Sequence, residues 1–471
     1  MFDFDLIVVG AGPGGYEAAL HAAKLGLKTA VVERQEVGGT CLNRGCIPTK
    51  ALLHASTVYE EAKSGAALGV NAEGLTYDLS AMFAYKAQVV EKLRGGIESL
   101  FKAAKVTLLR GTGTLTATNT VTVSGENEGV YTAQNILLAT GSVPARPPIP
   151  GLDLPGVMTS DELLSGEGGA FSSLIIIGGG VIGMEFATFY NDLGVDVTVV
   201  EGLDRLLPNM DRELGQNLAM IMKKRGVQVF TGAMVKDLTA TETGIQVNFE
   251  TKGKLQSVTG EKVLCAIGRS PYTAGLFAEG MAPEMDRRRI KVNERFETSL
   301  PGVYAIGDVS SPVQLAHVAT AQGIYAVNEI AGKANEMDLS LVPGCVYVRP
   351  EIAAVGLTEA EAKDRGIPVK TAKALMSSNG RTVILSGDRG FMKLIAHAET
   401  KRLLGAQLMC TNASDMISQL SEAIAGGLTP ANLLKAMRPH PTFEEALTGA
   451  LEELSAKLAF EKTTPFKCIS P

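Results

Sequence analysis

The chain has 471 residues, enough for roughly three or four domains that can each bury a hydrophobic core. Hydrophobic residues make up 45% and charged residues 20%, which indicates a folded globular protein and excludes a disordered one. Lys and Arg total 44 against 50 Asp and Glu, a net charge of −6 that disfavours a nucleic-acid partner. Six cysteines are too few for a secreted disulfide framework.

The same features bear on the compartment. Residues 1–5 carry two acids where a targeting segment would carry Lys or Arg. No uninterrupted apolar run approaches the roughly 18 to 20 residues that a membrane-spanning helix needs. We therefore expect a cytoplasmic protein with no membrane partner.

A strand–loop–helix–strand unit lies near the amino terminus. The pattern predicts a buried strand, a glycine loop over 10–15, a helix, and a second strand that ends at Glu33. Gly10 permits the tight turn, Gly12 lets the backbone approach a pyrophosphate, and Gly15 lets the helix pack closely on the strand. Glu33 is placed to accept hydrogen bonds from ribose hydroxyls.

The same unit recurs 168 residues further along the chain. Its corresponding loop glycines and strand-end acid are Gly178, Gly180, Gly183 and Glu201. One such glycine loop is a weak signal, but two copies in matching context predict two dinucleotide-binding folds. Because a carboxylate at the strand end bonds a ribose 2′-hydroxyl and repels a 2′-phosphate, the second site should prefer NAD over NADP. Arg205 is the one nearby cation that could compete for a phosphate.

Cys41 and Cys46 lie five residues apart, just before a segment that looks helical from Pro48 onward. A disulfide beside a dinucleotide fold could exchange an electron pair, and a helix N-terminus would stabilise the thiolate that this chemistry needs. Lys50 would share a helix face with Cys46. The alternatives are a structural disulfide or half of a zinc site, and an ordinary solvated lysine. The sequence has no further Cys-x-x-Cys or clustered His, which disfavours zinc, and we predict no metal site.

Residues 38–50 closely resemble the redox signature of the class I pyridine nucleotide-disulfide oxidoreductases. The resemblance extends over essentially the full length and is nearest to the dihydrolipoyl dehydrogenases, with further matching segments at 139–142, 266–269, 303–308 and 438–445. It implies an α/β fold with two Rossmann-like domains, for FAD and NAD, and a C-terminal α+β dimerisation domain. The implied limits are 1–143 and 271–341 for the FAD domain, 144–270 for the NAD domain and 342–471 for the dimerisation domain.

The resemblance also implies roles for individual residues. Cys41 would meet the substrate, Cys46 would lie against the flavin, and Lys50 would pair with Glu185 beside the flavin's reactive nitrogen. The first glycine loop would hold FAD and the second NAD. Further FAD contacts would come from Gly113, Thr140, Gly141, Ser142, Asp308 and Ala316, and further NAD contacts from Val235, Gly268 and Arg269.

His440 would be the general base, held by Glu445, and the family places it across a dimer interface from the cysteines of the partner subunit. The chemistry agrees, because a dihydrolipoyl thiol must lose a proton before it attacks, and imidazole titrates nearest neutral pH. Two positions depart from the family pattern. Arg438 stands where a second histidine is usual, and Arg44 stands where many relatives have an apolar residue; Arg44 would either stabilise the thiolate or face solvent.

The implied reaction oxidises protein-bound dihydrolipoyl groups and reduces NAD to NADH, in a 2-oxo acid dehydrogenase or glycine cleavage complex. The partners would be a second copy of the chain and lipoyl-bearing proteins. Three alternatives stay open. A glutathione-type reductase should carry basic residues in place of Glu201, and a mercuric reductase usually has a C-terminal cysteine pair where this chain has Cys468 alone. The third alternative is a flavoprotein that senses the NADH/NAD⁺ ratio and signals to a partner.

Overall fold

The computed structural model describes residues 1–385, 387 and 389–459, so Cys468 lies outside the described residues. The chain divides into two compact units. Unit 1 contains residues 1–178, 189–198 and 235–339, and unit 2 contains residues 179–188, 199–234 and those from 340 onward. Within the described part of the chain, no helix has the length and apolar character needed to cross a membrane.

The amino-terminal part of unit 1 holds a seven-stranded sheet. Its elements and those that follow are β1 (Phe4–Val9), α1 (Pro13–Lys24), β2 (Thr29–Glu33), α2 (Gly39–Arg44), α3 (Cys46–Ser64), α4 (Leu79–Ala104), β3 (Thr107–Arg110), β4 (Thr112–Ala117), β5 (Thr120–Ser124), β6 (Gly129–Leu138), β7 (Ser142–Pro144), β8 (Val157–Met158), α5 (Ser160–Ser165) and β9 (Ser173–Ile177). The strand order is β3-β2-β1-β6-β5-β4, and β1 runs parallel to both β2 and β6.

The central strand β1 is apolar from Leu6 to Val9 because both of its faces are covered. Leu6 and Val8 belong to a core that includes residues of α1. Ile7 and Val9 belong to a second core on the opposite face, built with residues of β4 and β5. Helix α1 begins with a proline in its first turn and buries only glycine and alanine, so it packs closely.

The middle of the chain carries a second sheet. The elements that follow β9 along the chain are α6 (Val181–Asp192), β10 (Asp196–Glu201), α7 (Arg212–Lys224), β11 (Gln228–Thr231), β12 (Ala233–Thr241), β13 (Gly244–Thr251), β14 (Lys254–Gly260), β15 (Lys262–Cys265), β16 (Arg269–Pro271), β17 (Met285–Asp286), β18 (Arg289–Ile290), β19 (Val303–Ala305) and α8 (Ala316–Ile330). The sheet order is β11-β10-β9-β15-β8, and β12, β13 and β14 form a separate three-stranded sheet. β19 returns to the first sheet and runs parallel to β6.

The carboxyl-terminal part of unit 2 is a five-stranded antiparallel sheet covered by helices. Its elements are β20 (Gly344–Val346), β21 (Ile352–Gly356), α9 (Glu359–Asp364), β22 (Val369–Leu375), α10 (Gly380–Ile384), β23 (Phe391–His397), β24 (Leu403–Met409), α11 (Ala413–Ala425), α12 (Pro430–Leu433) and α13 (Glu445–Ala459). The order is β20-β21-β24-β23-β22. Alternate residues of β23 and β24, such as Leu394 and Leu408, pack with Leu420 of α11 and Leu451 of α13. The predicted α/β class with a mixed C-terminal region is therefore what the structure shows.

Candidate active site

The cysteine pair lies where the short helix α2 meets the start of the longer helix α3. Cys41 is half-buried in α2, and Cys46 is the exposed first residue of α3. Gly45 separates the helices, and a Cβ there would lie 2.9 Å from the carbonyl oxygen of Thr40, so glycine permits this approach. A hydrogen bond with Cys46, together with burial, raises the pKa of the Cys41 thiol, and the charge of Lys50 opposes this. In the reduced pair, this environment favours the protonated form of Cys41.

The first glycine loop has the geometry that a dinucleotide requires. Gly10 has φ +105°, and a Cβ on it would lie 2.4 Å from the carbonyl oxygen of Ala139. A Cβ on Gly15 would lie 1.9 Å from the Gly10 oxygen, which is the tight helix–strand contact. Beside Gly12, in contrast, the nearest atom would be Gly39 Cα at 4.0 Å. The loop is closed on its inner side and open where a pyrophosphate would approach.

Glu33 completes this loop. Its buried carboxylate accepts hydrogen bonds from the amides of Ala11 at 2.7 Å and Gln35 at 2.8 Å. A carboxylate has about four acceptor sites, so two remain for ribose hydroxyls. These residues fit the adenosine and pyrophosphate of FAD.

The second loop repeats the arrangement at the equivalent positions. Glu201 accepts from the amides of Gly179 at 2.5 Å and Leu203 at 2.7 Å. Gly178 has φ +111°, and a Cβ on it would meet the Ala266 oxygen at 2.5 Å, whereas a Cβ on Gly180 would meet nothing within 4 Å. The sequence repeat is thus also a repeat of hydrogen bonds, and these residues fit a second dinucleotide.

Arg205, the predicted competitor for a 2′-phosphate, is already engaged. Its Nη1 is paired with Asp204 at 3.2 Å, and its Nη2 donates to the carbonyl oxygen of Pro208 at 2.8 Å. Its Nε is buried and has no hydrogen-bond partner. With a buried carboxylate at Glu201 and this guanidinium tied down, the loop favours NAD.

Ser142 connects two charged groups in unit 1. Its hydroxyl donates to Asp308 Oδ2 at 2.5 Å and accepts from Arg269 Nε at 2.7 Å. Arg269 Nη2 also donates to the Ser142 carbonyl oxygen at 2.7 Å and lies 3.4 Å from Thr40 Oγ1. Burial raises the pKa of Asp308, opposed by Ser142 and Arg269. Burial lowers the pKa of Arg269, opposed by Asp161, Asp308 and Cys46.

Arg269, which the resemblance assigned to the NAD cleft, directs its side chain to Ser142 and to Thr40, one residue before Cys41. Its contact with NAD stays a prediction. The other predicted cofactor residues of unit 1 have the following local environments. Thr140 donates to the Tyr272 carbonyl oxygen, and Ala316 begins α8. Gly141 and Gly268 have positive φ, while Gly113 and Val235 are buried.

Arg44 is also paired rather than solvated. It forms an ion pair with Glu36, and its Nη1 donates to Gln35 Oε1 at 2.7 Å. Its side chain is 24% exposed. This pairing neutralises much of the charge that could have acted on the cysteines.

His440 lies in unit 2 and is held by a carboxylate. Its Nδ1 is 2.7 Å from Glu445 Oε1, at the first residue of α13, while the ring side chain is 78% exposed. The amide of Thr442 donates to Glu445 Oε2 at 2.9 Å. The Thr442 amide and then His440 lower the pKa of Glu445, so it is a carboxylate at neutral pH. This is the arrangement of a general base held by an acid.

The structure also places Arg438 and Glu185, two further residues of unit 2 that the sequence analysis singled out. Arg438 is half-buried, its Nη1 lies 3.5 Å from Thr448 Oγ1, and it lines a surface cavity of about 600 Å³ together with Glu445. Glu185 is 3% exposed, and its Oε1 accepts from the amide of Tyr347 at 3.1 Å. Lys50 belongs to unit 1, so its expected pairing with Glu185 stays a prediction.

The sequence analysis missed three residues of these clusters. Thr40 contacts the guanidinium of Arg269, and Asp161 raises the pKa of Arg269. Asn379 donates a hydrogen bond to Thr442, two residues after His440. Thr40 lies within the redox signature at 38–50, whereas Asp161 and Asn379 belong to no motif that the sequence analysis identified. A position next to Cys41 was the only available signal, and it applied to Thr40 alone.

Comparison with known proteins agrees with this geometry. The pyridine nucleotide-disulphide oxidoreductase family model matches residues 4–323, and the dimerisation domain model of the same family matches residues 342–451. The chain belongs to this family. It is therefore an oxidoreductase whose cofactors are FAD and NAD, as the sequence predicted. The dimerisation domain supports a homodimer.

Individual relatives extend over nearly the whole chain. A dihydrolipoyl dehydrogenase of Bacillus subtilis is 40% identical over 456 residues, covering 95% of this chain and 96% of its own. One of Thermus scotoductus is 41% identical over 458 residues, covering 96% and 98%. Among solved structures, the HOCl-induced flavoprotein disulfide reductase RclA of Escherichia coli superposes with a TM-score of 0.84 at 27% identity, covering 95% of this chain and 99% of that one. The resemblance to dihydrolipoyl dehydrogenases is thus confirmed.

Proposed function

We propose that this enzyme oxidises protein-bound dihydrolipoyl groups to lipoyl groups and reduces NAD⁺ to NADH. The observation that carries the proposal is the exposed imidazole of His440 paired with Glu445 at 2.7 Å. A dithiol substrate must be deprotonated before it can attack a disulfide, and the pair provides a base for that step. The similarity to dihydrolipoyl dehydrogenases supports the same substrate.

The chain's own residues have these roles in the proposal. His440 takes a proton from one substrate thiol, and Glu445 stabilises the imidazolium that forms. The substrate thiolate attacks the sulfur of Cys41, which breaks the Cys41–Cys46 disulfide and releases Cys46 as a thiolate at the start of α3. The second substrate thiol then attacks the first substrate sulfur and displaces Cys41, so the substrate leaves as a disulfide and both cysteines are reduced.

Bound FAD would supply the redox chemistry that links the reduced cysteine pair to hydride transfer to NAD⁺. Glu33 and the loop around Gly12 would hold its adenosine and pyrophosphate, and Asp308 its ribityl chain. Glu201 and the loop around Gly180 would hold NAD. The proposal also includes the pairing of Lys50 with Glu185 and the remaining predicted contacts of both cofactors.

At a larger scale the proposal has three further parts. The FAD domain is formed by 1–143 and 271–341, the NAD domain by 144–270 and the dimerisation domain by 342–471. His440 serves the cysteines of the partner subunit. The lipoyl carrier is a separate protein of a 2-oxo acid dehydrogenase or glycine cleavage complex, and the enzyme works in the cytoplasm.

The test is NADH formation from dihydrolipoamide and NAD⁺ by the purified flavoprotein, with NADP⁺ in parallel. We expect turnover with NAD⁺ and little with NADP⁺. His440→Gln should lower this rate by roughly 10²- to 10⁴-fold, since that is the usual contribution of a positioned base. NADH oxidation by ferricyanide needs no thiol deprotonation and should stay unchanged in the variant. His54→Gln, at an exposed position of α3, is the matched control.

Two outcomes would count against the proposal. If the flavoprotein is reduced by NADH but does not oxidise dihydrolipoamide, the disulfide substrate is a different one. Reduction of oxidised glutathione with NADPH would then favour the glutathione-type alternative. If His440→Gln keeps full activity, the base lies elsewhere.

A further inference from the structure

Asn379 lies between helix α10 and the loop that carries His440. It is buried, with 6% exposure. Its Oδ1 accepts from the amide of Thr382 at 3.0 Å and from the Thr382 hydroxyl at 3.1 Å, which caps the helix. Its Nδ2 donates to the carbonyl oxygen of Thr442 at 2.9 Å. One side chain thus serves two elements that are 63 residues apart.

Thr442 passes this contact on to the catalytic pair. Its amide donates to Glu445 Oε2 at 2.9 Å, and its hydroxyl donates to the carbonyl oxygen of Pro439 at 2.9 Å. With the Asn379 bond, its amide, carbonyl and hydroxyl groups are all engaged. The other oxygen of Glu445 then meets His440.

The exposure of His440 makes this chain of bonds important. Within its own chain 78% of the His440 side chain is exposed, so packing inside that chain contributes little to the direction of the ring. The ring is instead aimed by Glu445, and Glu445 is aimed by the amide of Thr442. Whatever fixes the Thr442 peptide therefore fixes the base.

We propose that Asn379 is a positioning residue for the reaction, which holds Thr442 so that Glu445 and His440 keep their productive geometry. The inference deepens the proposed function and rests on it for the role of His440. A side-chain amide suits the position because it accepts at one end and donates at the other. Asp or Ser could still cap α10, but Asp has no N–H for the Thr442 carbonyl and Ser is too short to reach it.

The variants separate the two roles of Asn379. Asn379→Asp and Asn379→Ser keep a cap acceptor for α10 and remove the bond to Thr442. Thr382→Val instead removes one of the two bonds that cap α10 and leaves the bond from Asn379 to Thr442 in place. Asn379→Ser carries the test if the buried charge of Asn379→Asp prevents folding, which flavin content and circular dichroism will show.

The first readout is steady-state kinetics of the holoenzyme. We expect both Asn379 variants to lower kcat for dihydrolipoamide oxidation by roughly 10- to 100-fold with little change in KM, since a mispositioned base slows the chemical step. NADH oxidation by ferricyanide should stay within twofold of the wild type. Thr382→Val should keep most of its dihydrolipoamide activity.

The second readout needs no substrate. The imidazole ¹H–¹⁵N spectrum of the holoenzyme, assigned by comparison with His440→Gln, reports the bond from His440 Nδ1 to Glu445. We expect both Asn379 variants and the reference variant Glu445→Gln to lose this signature, and Thr382→Val to keep it. An unchanged signature together with an unchanged kcat in the Asn379 variants would overturn the proposal. Equal losses in Thr382→Val would also overturn it, because they would trace the effect to α10.

The two proposals can fail separately. A wild-type enzyme that does not oxidise dihydrolipoamide refutes the proposed substrate, and the spectrum still decides whether Asn379 holds the His440–Glu445 pair. A wild-type enzyme that turns over normally, with an unaffected spectrum in the Asn379 variants, refutes the role of Asn379 alone.

Discussion

Ser142 Oγ lies 2.5 Å from Asp308 Oδ2 and 2.7 Å from Arg269 Nε, so one hydroxyl serves an acid and a guanidinium at the same time. Burial raises the pKa of Asp308 above its usual value in spite of both partners. The desolvation of this carboxylate therefore outweighs its stabilisation by Ser142 and Arg269. This balance has a measurable dependence on pH.

Removing the Ser142 hydroxyl should destabilise the charged form of Asp308 most. Because the folded pKa of Asp308 is raised, its protonation favours the folded state at low pH, and that contribution is lost as pH rises through the folded pKa. Ser142→Ala should thus lower the thermal midpoint of the flavin-free protein more at a pH above the folded pKa of Asp308 than at a pH below it, and a series of melting curves across pH measures this difference. Its cost should be of the order of 1–3 kcal/mol, as for a buried charged group that loses a donor.

Asp308→Asn is the partner variant in this experiment. It removes the charge, so above the folded pKa of Asp308 the stability of this variant should equal or exceed that of the wild type. In the Asp308→Asn background, Ser142→Ala should cost less than it does in the wild type, which a double-mutant cycle will measure. Equal costs in both backgrounds would show that the carboxylate does not depend on Ser142.

The cysteine pair should show coupled titration in the reduced protein. The hydrogen bond and charge of Cys46 raise the pKa of Cys41, and Lys50 lowers it. Cys46→Ser should therefore shift alkylation of Cys41 by iodoacetamide to lower pH, and Lys50→Met should shift it to higher pH. Mass spectrometry of the modified peptide measures both. Burial raises the pKa of Cys410 to about 12, so its lack of reaction below pH 9 is the internal reference. An unchanged Cys41 profile in Cys46→Ser would contradict the coupling.

The two strand-end acids provide matched controls for each other. Glu201→Ala should raise the KM for NAD⁺ by roughly 10- to 100-fold, because hydrogen bonds to a charged group are lost. It should also reduce the preference of the enzyme for NAD⁺ over NADP⁺. FAD content should be unaffected. Glu33→Ala should weaken FAD retention during gel filtration, with the KM for NAD⁺ unchanged in the fraction that keeps flavin. If both variants lose flavin equally, the two loops do not act as separate sites.

Arg44 should have little influence on the thiols. Its ion pair with Glu36 is partly exposed, and such pairs contribute about 0–1 kcal/mol. Arg44→Leu, which replaces the cation with an apolar side chain, should change the free energy of unfolding in urea by less than about 1 kcal/mol. The alkylation profile of Cys41 should be that of the wild type. A clear shift of this profile would restore a direct role for Arg44 in thiolate stability.

Local patterns in the sequence were sufficient for the cofactor loops. The bond between Glu33 and Ala11 spans 22 residues, and the one between Glu201 and Gly179 also spans 22. Both are formed inside one strand–loop–helix–strand unit, whose glycine spacing and strand-end acid are visible in the chain. For the same reason the placement of Cys46 at a helix start could be predicted, since the helix signal follows the cysteine directly.

The remaining contacts depended on tertiary structure. Ser142 and Asp308 are 166 residues apart, Asn379 and Thr442 are 63 apart, and Arg269 reaches Thr40 across 229. No spacing in the sequence predicts these pairs, because they form only when folding brings separate strands and loops close together. Arg269 shows the consequence: its motif was recognised, but the direction of its side chain was decided by the buried hydroxyl and carboxylates that the fold brings to it. The sequence by itself determined which local units form and what chemistry they can hold. The tertiary structure alone decided how the reacting side chains are aimed, since a buried polar group takes the partners that folding places within hydrogen-bond distance.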